Sequence, residues 1–282
     1  MDFSMTQLSG QLPSTWGQRG ALQQLKALHL SQVNIAGTIP FAWGEVDSFP
    51  ALSSLQLGGP LLNGTLPAHW GSNGTLSGLV DLEIANSNFL GTLPQEWGAP
   101  DAFKNLSTLS LTNCNISGTL PASWSEPGAF ASLTSLTLDL SNLSGTLPPS
   151  WGGNGLFPVL DSLSLGPELS PGFSLLAGPL PPEWSSPAAF PMLTSLSITN
   201  LSITGTLPDS WAGAAAFPLL TALTLADLPF QAGTLPAAWA NNASFPQLSS
   251  LQLGLDELDS VSLSGSLPPE WGNPGAYPRL QS

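Results

Sequence analysis

Leucine and polar residues alternate in one short unit that recurs along the whole chain. In Leu106-x-x-Leu109-x-Leu111 the last two leucines fall on one face of an extended segment, with Thr108 and Ser110 on the other. Behind them come Gly118, which permits a positive-φ corner, Pro121, which sets the next turn, and Trp124. The unit returns as "LHLSQVNIAGTIPFAW", "LEIANSNFLGTLPQEW", "LTLDLSNLSGTLPPSW" and "LSITNLSITGTLPDSW". The tryptophans are Trp16, Trp43, Trp70, Trp97, Trp124, Trp151, Trp184, Trp211, Trp239 and Trp271, with gaps of 27 residues five times running, then 33, 27, 28 and 32. A period of this size marks a solenoid, since one coil cannot hide its apolar face alone and stacked coils can. The pattern predicts a mostly parallel β solenoid of the α/β class, a single domain over residues 1–282. The ten tryptophans are expected in its core, each buried indole N–H bonded to a backbone carbonyl at the corner.

The motif "LxxLxLxxxxLxGTLPxxW" resembles the plant-type leucine-rich repeat, and most closely the tryptophan-bearing variants in extracellular proteins of green algae and some protists. The resemblance runs over essentially the whole chain and implies a right-handed horseshoe. Two features depart from it. The period is 27 residues where the plant type has 24, through an extra piece such as that in "WGGNGLFPVL". The position that usually holds a ladder asparagine reads Val33, Pro60, Ser87, Cys114, Ser141 and Leu201.

Glycine and proline (29 and 28 residues) recur in phase with leucine and tryptophan, so they are corner residues and not a sign of disorder. Four Lys plus Arg against eighteen Asp plus Glu give a net charge of −14, which disfavours nucleic acid and anionic membrane as partners. The single cysteine, Cys114, excludes an internal disulfide framework and reads as a small residue in the asparagine column. No apolar run is long enough to span a bilayer. Seven sequons, at Asn63, Asn73, Asn105, Asn115, Asn142, Asn200 and Asn242, place the chain outside the cell or at its surface as a glycoprotein. "MDFSMTQLSG" does not read as a signal peptide, and both termini fall within a coil, so the chain is expected to be a segment of a longer protein or to stack end to end as a filament.

Catalysis is not expected, and neither is a cofactor or metal. The two histidines, His29 and His69, sit near no Cys or His cluster, and paired acids such as Asp81 and Glu83 face a flat sheet. On the outward face of the strands, Thr108, Ser110, Ser135, Thr137, Ser162, Ser164, Ser195 and Ser197 form columns of small hydroxyls. That wall lacks the aromatic and arginine anchors of tight protein interfaces. A further column, Thr38, Thr65, Thr92, Thr119, Thr146, Thr206 and Thr234, is expected to stack at about 4.8 Å per coil. Two coils are lengthened, at residues 166–177 and 254–264, which brings Glu168, Phe173, Asp256, Glu257 and Asp259 to one rim as candidate partner-binding loops. Three functions follow as expectations. The first is a structural or adhesive component of the cell surface, wall or fibre. The second is a ligand-recognition ectodomain using the long loops, and the third an ice- or polysaccharide-binding surface built from hydroxyls.

Overall fold

The computed structural model describes residues 1–72, 74–153, 155–167, 174–186, 188–213, 215–228, 234–241, 244–254, 263 and 265–282. Glu168, Phe173, Asp256, Glu257, Asp259, Asn73 and Asn242 lie outside the described residues. The inner wall is one nine-stranded parallel sheet built from Ala27–Leu30, Ser54–Thr65, Asp81–Leu90, Thr108–Cys114, Ser135–Asp139, Ser162–Leu165, Ser195–Thr199, Ala222–Ala226 and Ser250–Gly254. Its register follows the repeat residue for residue: Leu109 pairs with Leu136, and Leu136 with Leu163. The strand leucines therefore stack into two buried columns. At the sheet edge each coil also ties to the one before it, as when the hydroxyls of Ser53 and Thr134 donate to the carbonyls of Lys26 and Ser107, both at 3.0 Å. No α-helix occurs among the described residues, and the helical part of each coil is a single 3-10 turn.

That turn explains the tryptophan. Proline precedes it in extended geometry, as at Pro121 before Ala122–Ser125, and the indole of Trp124 enters the core from the wall opposite the sheet. Trp43 through Trp239 are buried, whereas Trp16 and Trp271 on the outermost coils are half-buried. Apart from Trp16 and Trp70, each indole N–H reaches the carbonyl of the proline one coil back, as Trp97 to Pro67 at 3.0 Å, Trp124 to Pro94 at 2.9 Å and Trp151 to Pro121 at 3.1 Å. Successive rings stack nearly parallel, Trp97 on Trp124 at 6.4 Å between centroids. A phenylalanine six residues on meets seven of the rings edge-on, as Phe130 meets Trp124 at 5.3 Å, whereas Leu22 and Leu76 follow Trp16 and Trp70 and Tyr277 follows Trp271. Phe49, Phe103, Phe130, Phe217 and Phe245 hold φ between 45° and 47°, left-handed backbone that costs a side-chain-bearing residue roughly 1–2 kcal/mol. Burial of the phenyl ring and its edge contact with the indole offset that cost.

Trp70 breaks the pattern. Its Nε1 is buried without a partner, and the stacked rings run as Trp16–Trp43 and then Trp70 through Trp239. One residue earlier the coil-to-coil contact is also unusual. The imidazole of His69 fills the space between the two coils, lying 4.3 Å from the Phe41 ring with Nε2 3.0 Å from the Phe41 carbonyl. A missing bond at Trp70 predicts an asymmetry: Trp70→Phe should cost about 1 kcal/mol less than Trp124→Phe, which removes a made bond. Paired urea titrations check this.

On the outer arc a second set of strands forms, Ser9–Gln11 with Asn34–Ala36, and Ser144–Thr146, Ser174–Gly178 and Leu201–Ile203 together. The strands Ser54–Thr65 and Asp81–Leu90 run on into this arc. Here pairing departs from the repeat. Asn63 pairs with Asn88 and Thr92 with Ser117, each two residues short of its sequence equivalent. The outer strands cross obliquely, so the Gly-Thr-Leu-Pro threonines are not the directly stacked 4.8 Å ladder that the repeat alone predicts. The glycine before each of them still has a clear reason. Gly118 holds φ at 82°, and a Cβ there would stand 2.7 Å from Cγ2 of Thr92.

Candidate interaction surface

The strand positions between the leucine columns point away from the core and make the inner face. Thr108, Ser135, Ser162 and Ser195 pair across four adjacent strands, and Ser110, Thr137, Ser164 and Ser197 do the same two residues on. All eight are half-buried. Strand geometry spaces these hydroxyls about 4.8 Å across the sheet and about 6.7 Å along it. Asp81 and Glu83 border the array on one strand and Asp139 ends another, while His29 Nε2 lies 3.1 Å from the Ser54 hydroxyl. A flat face of short donors and acceptors can hydrogen-bond a ligand along its length, but it has no enclosed site for a reacting group.

The reactive side chains sit elsewhere. Cys114 is buried beneath the outer arc, its Sγ 3.1 Å from the Ser87 hydroxyl and 3.6 Å from the Ile84 carbonyl. Serine and cysteine thus meet in the column that asparagine usually fills. Asparagines flank them, Asn113 Nδ2 donating to Asn86 Oδ1 at 2.8 Å and Asn115 Nδ2 to Asn88 Oδ1 at 2.9 Å. Burial pushes the Cys114 thiol up, so the protonated form persists at neutral pH and the nucleophilic thiolate is scarce. Cys114 should accordingly stay silent to a thiol-reactive disulfide reagent in the folded protein and react fully in denaturant; fast reaction under native conditions contradicts its placement. Burial likewise raises the Tyr277 phenol, at the last coil. No group of three or more His, Cys, Asp or Glu able to hold a metal occurs among the described residues.

The described sequons distribute over other surfaces. Asn63, Asn115 and Asn142 are exposed on the outer arc. Asn105 is exposed and donates to the Ser77 carbonyl at 2.8 Å; Asn200 is half-buried and donates to the Pro167 carbonyl at 2.7 Å. The sequence did not disclose the paired asparagines of the outer arc, although their 27-residue spacing was the available signal.

A parallel sheet of in-register leucine columns, closed by a turn and an oblique outer strand, defines a leucine-rich-repeat solenoid. The family model for the Leucine Rich Repeat matches residues 105–126, and this match together with the fold is consistent with a leucine-rich-repeat protein of the plant type. No curated protein is similar enough to match. Among solved structures, the Arabidopsis receptor kinase HAESA in complex with the peptide hormone IDA and the co-receptor SERK1 is 26% identical over 95% of this chain and 42% of that one, at a TM-score of 0.69. A TDR receptor is 27% identical over 95% of this chain and 44% of that one, at 0.61. A plant ice-binding protein shares the fold at 19% identity, over 95% and 84% of the two chains, at 0.55. The chain spans less than half the length of the receptor structures it matches. No helix among the described residues is long and apolar enough to cross a membrane.

Proposed function

We propose that this chain is an extracellular, non-enzymatic interaction module that lays an extended, basic polypeptide across its nine-stranded inner face. The observation that carries this reading is the register of that face. Four adjacent strands present short hydroxyl side chains at the same height, from Thr108 and Ser110 to Ser195 and Ser197, so a ligand crossing them meets an equivalent contact at each step. Asp81, Glu83, Asp139 and the net charge of −14 favour a basic partner through electrostatic complementarity. The wall has few large anchors, so contact is broad and modest in strength. The receptor neighbour with its peptide hormone supports the reading, and the adhesive or structural role expected at the cell surface is the form it takes when the partner is a fixed wall or fibre component.

The test is an array of secreted basic and acidic peptides probed with the parent chain, with Ser110→Trp/Thr137→Trp, and with the outer-arc variant Thr119→Trp. Retention of basic peptides, lost only in the inner-face variant, supports the proposal. Equal loss in the outer variant, or retention independent of peptide charge, removes it. A second reading rests on the four-strand hydroxyl array itself, whose even spacing suits an ordered lattice such as ice or crystalline polysaccharide. Ice crystals grown in the parent protein should then be faceted, and the Ser110→Trp/Thr137→Trp variant should leave them round.

A further inference from the structure

Five described sequons are not equivalent once the coils are stacked. On the outer arc, Leu62, Ile116 and Leu143 turn inward and are buried, so Asn63, Asn115 and Asn142 beside them point outward and are exposed. Their amide nitrogens differ in what they already do. Asn115 Nδ2 donates to Asn88 one coil away, Asn105 Nδ2 to Ser77, and Asn200 Nδ2, on half-buried backbone at φ 52°, to Pro167. Those three bonds join neighbouring coils. Asn63 Nδ2 makes only a local bond of 3.3 Å to the Leu61 carbonyl in its own strand, and Asn142 makes none among the described residues.

We infer that Asn63 and Asn142 carry N-linked glycans, that these cover the outer arc, and that the inner face is thereby left as the accessible one. The inference rests on the extracellular reading above. The modifying step joins Asn Nδ2 to the anomeric carbon of the first N-acetylglucosamine of a lipid-diphosphate-linked oligosaccharide. Nδ2 gives up one proton, and the lipid diphosphate leaves. At Asn63 and Asn142 the sugar enters open solvent at no cost to coil stacking. At Asn200 it must share a half-buried amide that already bonds the previous coil, so folded molecules carrying it there are selected against. The two favoured sites stand three coils apart, roughly 15 Å. Thr92 and Thr119 lie on the coils between them, under both glycans. By contrast, none of the five described sequons lies among the outward strand positions of the inner face.

The chain, given a secretion signal and expressed in plant cells, tests this by two measurements. Glycopeptide mass spectrometry of the folded, secreted protein should find Asn63 and Asn142 occupied and Asn200 largely bare. Thr119→Cys should react with a polyethylene-glycol maleimide several-fold more slowly than Ser110→Cys, and amidase removal of the glycans should abolish the difference, with buried Cys114 contributing nothing. Bare Asn63 and Asn142, or Thr119→Cys labelling at one rate with and without glycans, overturns the inference. Neither readout involves a ligand, so the failure of inner-face recognition and the failure of glycan shielding are separate results.

Discussion

Trp124→Ala is expected to lower stability by about 3–5 kcal/mol, as large-to-small changes at fully buried aromatics do. The ring has no solvent exposure, lies between Trp97 and Trp151 at 6.4 Å on each side, meets Phe130 edge-on at 5.3 Å, and donates to Pro94. Removing it opens a cavity that rings border on three sides and deletes the indole bond that ties this coil to the one before it. Because coils in a solenoid are held chiefly by their immediate neighbours, a hole in a middle coil should also uncouple the two ends. A urea titration followed by circular dichroism should therefore show a lower midpoint and a broader transition. Trp16→Ala is the control. That ring is half-buried with one stacked neighbour, Trp43, and its loss should shift the midpoint much less.

Gly98→Ala should cost about 1–3 kcal/mol, the range for forcing extra atoms into a filled interior. A Cβ at this position would lie 2.3 Å from the Ser123 carbonyl oxygen and 2.8 Å from the Trp124 Cα, both backbone of the next coil. No rotamer change relieves such a contact; the coils must separate, and the Trp97–Trp124 stack loosens with them. The equivalent position one coil on holds Ser125, whose hydroxyl donates to the Ala122 carbonyl at 2.7 Å and lies 3.1 Å from the Ser150 hydroxyl. That joint already accommodates a side chain. Ser125→Gly is accordingly expected to be nearly neutral, and thermal melts of the two variants should differ in midpoint accordingly.

The parts of this molecule that depend on one coil repeating were legible in the sequence. Leu109 and Leu111 announced a strand with one apolar face, Gly118 a positive-φ corner, and the tryptophan column a second wall of the core. What depends on how coils meet was not. The segment Asn115–Thr119 has a single inward residue, Ile116, among polar ones, and no alternation there marks a second set of strands. Its two-residue stagger is a property of coil-to-coil crossing, which no single repeat encodes. The left-handed backbone at Phe103 and Phe130 was equally hidden, because a bulky residue is the least expected occupant of that region. The break at Trp70, whose Nε1 is buried without a partner, likewise had no mark in the repeat. The candidate partner loops were recognised by length alone, and their acids lie outside the described residues.

Hydrogen exchange of the indole N–H groups, resolved by NMR, is the most direct test of the stacked core. Slow exchange is predicted for Trp97, Trp124, Trp151, Trp184 and Trp211, whose protons are held by prolyl carbonyls of the preceding coil, and fast exchange for Trp16 at the open end. If those five exchange as quickly as Trp16, the indoles lie in solvent and the coils are not packed as described.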